Sequence, residues 1–244
     1  MEMTNSNLTI EKFNVISDVF SQAITGELIG MSNFASLAET INDPHEKMEA
    51  VEHANSERMH AMGFLAYAKS NELKININLD STYWGGIRKI FLKHAHQKDF
   101  IACLIIQEVM LESFAIAMYT DVGNALDGEA GKLFLSIAEE EKEHLEHSSD
   151  LLREEFRRDS AAFITKFEEL HFECMGILAQ FSAITDLLGH CGVCNGDCMK
   201  EALHHIDLDI VTLRGNAFGL YATALDNIGI PGEKSIVWIA SLPA

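Results

Sequence analysis

Two copies of the motif Glu-x-x-His constrain the fold of this chain more than any other feature: Glu57 with His60, and Glu141 with His144. Residues three positions apart share a face of an α-helix, so each motif directs one carboxylate and one imidazole towards the same point. Each motif lies in a helix-favouring stretch that follows another such stretch carrying a single glutamate. Four-helix bundles build dinuclear metal sites from this arrangement of helices.

The two single glutamates that complete the pattern are Glu27 and Glu112. The run 101–118 is apolar on nearly every face and contains no Lys or Arg to pair with Glu112. Burying an unpaired carboxylate costs several kcal/mol, so a metal ligand explains Glu112 better than a protonated or hydrogen-bonded core acid does. For Glu27 a solvated position is the alternative, and its assignment depends on the whole set.

We therefore predict a carboxylate-bridged site for two iron ions, held by Glu27, Glu57, His60, Glu112, Glu141 and His144. Carboxylate-rich sites with one imidazole per metal favour iron or manganese over zinc or copper. Six protein ligands leave coordination positions open on two metal ions, and open positions of this kind suit chemistry with O2. Helix-surface histidines beside solvated acids are the alternative for His60 and His144, and the regular order of the four helices disfavours it.

The fold class predicted from the sequence is all-α, because apolar residues recur with a 3.6-residue period and the 244 residues include only 3 prolines. A hydrophobic content of 48% is sufficient for one sizeable core, so we expect a single domain over residues 1–244. Helices are expected at about 8–38, 44–71, 83–96, from Asp99 to before Gly123, at 127–158, 160–188 and 199–228, and after Pro231.

Composition and charge exclude several classes of function. The first residues lack the basic start and apolar stretch of a signal peptide, and five cysteines are an odd number, so we expect a cytoplasmic protein. The net charge of −19 argues against nucleic-acid binding. The apolar run 101–118 is interrupted by Gln107, Glu108 and Glu112, which favours a core helix over membrane insertion.

The segment 81–97 is a local basic island in this acidic chain. It contains no acidic residue, and with Lys98 its basic residues are Arg88, Lys89, Lys93, His94 and His96. An ordinary amphipathic surface helix is one interpretation. The functional interpretation is a docking surface for an acidic electron-transfer protein.

A second cluster, Cys191, Cys194 and Cys198 with His190, has a spacing seen in zinc and iron–sulfur sites. The glycines between these residues favour a loop between two helices. We predict no metal there, with a disulfide or a metal site as the alternatives.

Several segments resemble the cyanobacterial aldehyde-deformylating oxygenases, formerly called aldehyde decarbonylases. The likeness is closest over 102–119, and it extends to Gly26 and Glu27, to 57–64, to 138–144 and to 225–230. The resemblance implies a ferritin-like four-helix bundle with additional peripheral helices. It also implies an enzyme that splits a fatty aldehyde into an alkane or alkene and formate, using a di-iron centre, O2 and external electrons.

The resemblance further implies a ferredoxin-like electron donor and an apolar tunnel for a long-chain aldehyde or another apolar small molecule. We expect the tunnel to be lined by small and apolar residues of the ligand-bearing helices: Ala23, Gly30, Met31, Phe34, Phe64, Tyr67, Gln107, Ala115, Met118 and Tyr119. Three other functions stay open at this point. They are a di-iron enzyme with different oxidative chemistry, such as hydroxylation or N-oxygenation, an iron-storage or peroxide-scavenging protein, and a purely structural bundle.

Overall fold

The structure, a computed structural model, describes residues 9–181 and 202–242, and this part of the chain is helical without a strand. The helices are α1 Ile10–Ala38, α2 Pro44–Ser70, α3 Trp84–His96, α4 Phe100–Ala125, α5 Gly128–Arg158, α6 Ser160–Phe181, α7 Ile210–Ile228 and α8 Gly232–Ala240. The predicted all-α class is confirmed.

Four of these helices form the bundle that carries the predicted ligands. Helix α1 packs along α2, α4 packs along α5, and α2 meets α5 across the bundle. The peripheral helix α3 lies against α1, while α6 and α7 lie against α4 and α5. Buried apolar side chains fill the spaces between these layers.

Helix starts follow the local capping chemistry that the sequence predicts. The Asp43 carboxylate accepts hydrogen bonds from the backbone N–H groups of His45 and Glu46, with Pro44 as the first residue of α2. Asp99 accepts from the Ala102 N–H at the start of α4. Such side-chain caps satisfy backbone donors that have no partner within the helix.

Two predicted helix boundaries are wrong. Helix α4 does not end before Gly123 but continues to Ala125, because Gly123 is a packing position and not a helix breaker. A Cβ atom there would lie 2.7 Å from Leu135 Cγ on α5. The helix expected at 199–228 is interrupted: residues 202–204 are helical, Asp207 has a φ of +58°, and a new helix capped by Asp209 begins at Ile210.

A π-helical segment over Ile105–Leu111 interrupts α4, and the sequence pattern did not predict it. Insertions of this kind are rare and frequently lie at functional sites. This one immediately precedes Glu112 and contains the buried polar residues Gln107 and Glu108.

Helix α4 is long and apolar enough to cross a membrane by length and composition alone. In the structure, 78% of its apolar window is buried inside the protein, which is the position of a core helix. The expected cytoplasmic location stays a prediction.

Candidate metal centre

The bundle brings the six predicted ligands together in its interior, and all six side chains are buried. Glu27 comes from α1, Glu112 from α4, and one Glu-x-x-His pair from each of α2 and α5. One ligand atom from each of four residues lies within 4.8 Å of the other three: Glu27, Glu57, His60 and Glu141.

His60 lies at the centre of the cluster. Its Nδ1 atom is 3.2 Å from Glu27 Oε2 and 2.9 Å from Glu141 Oε1. On the outer side of the ring, Nε2 is 3.1 Å from Glu140 Oε2. A metal-ligating histidine commonly has this arrangement, with one ring nitrogen at the metal and the other hydrogen-bonded to a carboxylate.

The remaining two predicted ligands extend the cluster on either side. His144 Nδ1 is 2.8 Å from Glu141 Oε2. Glu112 lines the same cavity as Glu27 and Glu141. Burial raises the pKa of its carboxyl, and the charges of Glu141 and Glu27 add to that increase. The six residues therefore form one continuous carboxylate and imidazole cluster.

The shifted pKa values of the cluster reflect four buried carboxyl groups beside only two imidazoles. Burial raises the pKa of Glu57 well above its usual range, and the neighbouring charges of Glu141 and Glu27 raise it further. Burial likewise raises the pKa of Glu112, with added repulsion from Glu141. Burial alone would lower the pKa of His60, but hydrogen bonds to Glu141 and Glu27 raise it to about 11.

These residues fit a pair of divalent cations. Four carboxylates carry the charge that two divalent ions would balance, and buried carboxylates without a cation are costly. The buried atom Glu57 Oε1 lacks a hydrogen-bond partner. Gly30 also leaves room for the Glu57 carboxylate, because a Cβ atom at this position would lie 2.8 Å from it.

Neutral polar side chains hold the outer oxygens of two ligands. Tyr119 donates a short hydrogen bond to Glu27 Oε1. Gln107 Nε2 donates to Glu112 Oε1 at 2.8 Å, and Asn33 Nδ2 donates to Gln107 Oε1 at 2.8 Å. The sequence analysis missed Asn33, which lies about one turn after Gly30 on α1.

A cavity of about 80 Å³ adjoins the cluster. The carboxylate-bearing residues in its wall are Glu27, Glu57, Glu112 and Glu141. Its apolar lining residues include Val19, Leu111, Phe114, Val122, Phe134 and Leu178. Trp84 of α3 also lines it, with its indole N–H donating to Gln22 Oε1 at 2.8 Å. The mostly apolar lining suits an apolar ligand.

Half of the predicted tunnel residues line this cavity: Ala23, Gln107, Ala115, Met118 and Tyr119. The other half, Gly30, Met31, Phe34, Phe64 and Tyr67, are not part of its wall. Gly30 faces the Glu57 carboxylate, and the Phe34 ring packs edge-on against His53 and His144. The Phe64 ring packs edge-on against Phe20, and the Tyr67 ring stacks on Phe20.

On the opposite side of the cluster, His60 and His144 line a surface groove between α2 and α5. The groove is strongly acidic, with Glu49, Glu52, Glu140 and Glu143 in its wall. It also contains His53, which the sequence analysis did not identify.

The predicted basic island is helix α3 with its C-terminal turn. Its residues Arg88, Lys89, Lys93 and His96 line a surface groove. Lys93 is also paired with Glu173 of α6, at 2.8 Å. The predicted cluster of Cys191, Cys194 and Cys198 with His190 lies outside the described residues.

A solved structure with a similar fold is protein 19 with aldehyde deformylating oxidase activity from Synechococcus. The two chains superpose with a TM-score of 0.77 at 19% sequence identity, over 95% of this chain and 97% of the other. At this identity the similarity establishes the fold, and it confirms the ferritin-like bundle.

The sequence itself matches a family model, that of the long-chain fatty aldehyde decarbonylases, over residues 12–170. The match includes all six predicted ligands and extends from the first turn of α1 through α5. The protein therefore belongs to the long-chain fatty aldehyde decarbonylase family.

Proposed function

We propose that this protein is a di-iron, O2-dependent oxygenase that converts a fatty aldehyde to an alkane or alkene and formate, with electrons from an outside donor. The observation that carries the proposal is the cluster of four carboxylates and two imidazoles, whose four carboxylate residues line an apolar cavity. Family membership supports the aldehyde as substrate.

Two iron ions would be held by Glu27, Glu57, His60, Glu112, Glu141 and His144. Bound there, iron would supply the redox chemistry with O2, for which a carboxylate-rich site is suited. Manganese is compatible with the same ligands, so the identity of the metal is part of the proposal.

The cavity would bind the aldehyde by its hydrocarbon chain. Apolar residues such as Phe114 and Val122 bury that chain and exclude water, while the carboxylate end of the cavity places the aldehyde carbonyl beside the metal ligands. Ala115 and Ala23 leave room for the chain because their side chains are small.

Tyr119 and Gln107 would orient the ligands during turnover. Each donates a hydrogen bond to one oxygen of a carboxylate, Glu27 and Glu112 respectively, so the other oxygen stays directed into the cluster. Outer hydrogen bonds of this kind commonly tune the position and basicity of metal ligands.

The net reaction of the family that this chain resembles converts an aldehyde, O2, four electrons and four protons to a hydrocarbon, formic acid and water. An outside protein must deliver the electrons, and we propose that an acidic ferredoxin-like partner docks at α3. This helix joins the basic groove to the cavity, because Trp84 in its first turn is part of the cavity wall.

The direct test is to load the metal-free protein with Fe2+ under anaerobic conditions and then supply a long-chain aldehyde, O2 and a reductant. We expect about two iron ions per chain, with hydrocarbon and formate formed in equal amounts. Glu112→Ala should lose iron and product, whereas Glu146→Ala, at an exposed position of α5, should retain both. A hydroxylated product without formate would instead establish a different oxidative reaction.

A further inference from the structure

We propose that Glu108 and His53 form a positioning pair for the metal ligand His144, and that they stabilise one of the two metal positions selectively. The proposal rests on the dinuclear centre proposed above. Neither residue belongs to the predicted ligand set.

The first observation is a buried carboxylate with a single partner. Glu108 is only 1% exposed, and it lies in the π-helical segment of α4. Its Oε1 atom is 3.1 Å from His53 Nδ1 on α2, while its Oε2 atom has no hydrogen-bond partner. A carboxylate at this distance from a ring nitrogen fixes the ring plane of His53 and the tautomer that donates from Nδ1.

The second observation is that the His53 ring stacks on the His144 ring. The two centroids are 4.2 Å apart, with an angle of 23° between the ring planes. Phe34 packs edge-on against both rings, at centroid distances of 5.1 Å from His53 and 6.3 Å from His144. The His144 imidazole is therefore confined by two neighbouring rings, one of which is itself held by a carboxylate.

The third observation is that the two ligand histidines are supported differently. His60 has a carboxylate, Glu140, 3.1 Å from its outer nitrogen Nε2. Among the described residues, no carboxylate makes the equivalent contact to Nε2 of His144. The stacked ring of His53 supports the His144 ring instead, and Glu108 acts on His144 only by holding His53. Loss of the pair should therefore affect the metal held by His144 more than the metal held by His60.

The test measures metal affinity in place of activity. Metal-free protein is titrated with Co2+ against a competing chelator, and the ligand-field absorption of bound Co2+ is recorded. The variant is His53→Leu combined with Glu108→Leu, because replacing both partners of a buried polar pair with apolar residues disturbs folding less than removing one. Circular dichroism and thermal unfolding of the metal-free variant confirm that it is folded.

We expect the wild-type protein to bind two Co2+ ions, and the double variant to bind one of them about 10-fold to 100-fold more weakly, with a changed absorption spectrum. His53→Phe with Glu108→Gln restores an aromatic ring against His144 and should recover most of the affinity. His147→Ala is the control, since its ring lies 6.1 Å from that of His53 and nearly perpendicular to it.

Two results would contradict the proposal in different ways. Wild-type affinity and spectrum at both positions in the double variant would show that Glu108 and His53 do not position His144. Equal weakening of both positions would show that the pair supports the bundle as a whole. Failure of the wild-type protein to bind two ions would instead contradict the dinuclear centre itself.

Discussion

Gln107 Nε2 donates a hydrogen bond of 2.8 Å to Glu112 Oε1, five residues further along the same helix. In a regular α-helix, residues five apart lie about 140° from each other around the axis, so their side chains diverge. The wider turn of the π-helical segment Ile105–Leu111 brings positions five apart onto one side. The same segment places Glu108 towards α2, where it meets His53. The π-helical turn therefore lets α4 make two polar contacts near the metal centre, one from Gln107 to Glu112 and one from Glu108 to His53.

Gly30→Ala should weaken metal binding, because the new Cβ atom would lie 2.8 Å from the Glu57 carboxylate and displace it. Metal analysis after Fe2+ reconstitution measures the effect, and we expect less than half of the wild-type iron content. The matched control is Gly219→Ala on α7, where a Cβ atom would meet nothing within 4 Å. That change should leave iron content unaltered and raise stability by about 0.5–1 kcal/mol. Full iron content in Gly30→Ala would mean that the Glu57 carboxylate has room to move.

Ala115→Phe should shift the substrate preference towards shorter aldehydes, because the larger ring would occupy part of the cavity. The measurement is the ratio of kcat/KM for a long and a short aldehyde, which we expect to fall about 10-fold or more. Ala66→Phe on the exposed face of α2 provides the control. An unaltered ratio in Ala115→Phe would place the hydrocarbon chain outside this cavity.

Metal-free protein should be most stable near pH 4.5, the ordinary pKa of the glutamates involved. The pKa of His60 is raised to about 11, so its stabilising contribution is fully present below 6.5 and is lost as pH rises towards 11. The raised pKa values of Glu57 and Glu112 act in the same direction from a lower pH, because these groups favour the folded state when protonated and this contribution is lost as pH rises above 4.5. The pKa of Glu141 is lowered to about 2, so its contribution is lost as pH falls from 4.5 towards 2. Thermal unfolding across this range tests the prediction, and a Tm that rises steadily above pH 6.5 would contradict it.

Metal binding at neutral pH should release protons, because His60, Glu57 and Glu112 must deprotonate to act as ligands. Calorimetric titration with the same metal in buffers of different ionisation enthalpy measures the number released. We expect at least one proton per chain near pH 7, and greater stabilisation by metal at about pH 8 than at about pH 5. Binding without proton release would indicate that these carboxyls and the imidazole are already deprotonated.

Lys89→Glu with Arg88→Glu should slow turnover driven by an acidic protein donor and flatten its salt dependence, since both residues line the basic groove of α3. Turnover with a small neutral reductant should be nearly unchanged. Lys93 is a poorer target, because its ammonium is already paired with Glu173. The control is Lys69→Glu on the exposed surface of α2. Equal losses with both reductants would show that α3 supports the fold and not the docking.

The sequence by itself determined the features that depend on neighbours within one helix. The Glu-x-x-His spacing places Glu57 with His60 on one face, and local capping by Asp43 and Asp99 starts α2 and α4. The cost of burying an unpaired acid identified Glu112, and the same argument applied to Glu108 would have found that residue as well.

Only the tertiary structure decided how the faces of different helices meet. Ala115 and Met118 line the cavity, whereas Gly30 and Phe34 turn towards other residues of the metal centre. The contact between His53 and Glu108 joins residues 55 positions apart. The rotation of each helix about its own axis and the π-helical turn in α4 set these contacts. Both result from packing between helices, so a periodic pattern within one helix does not specify them.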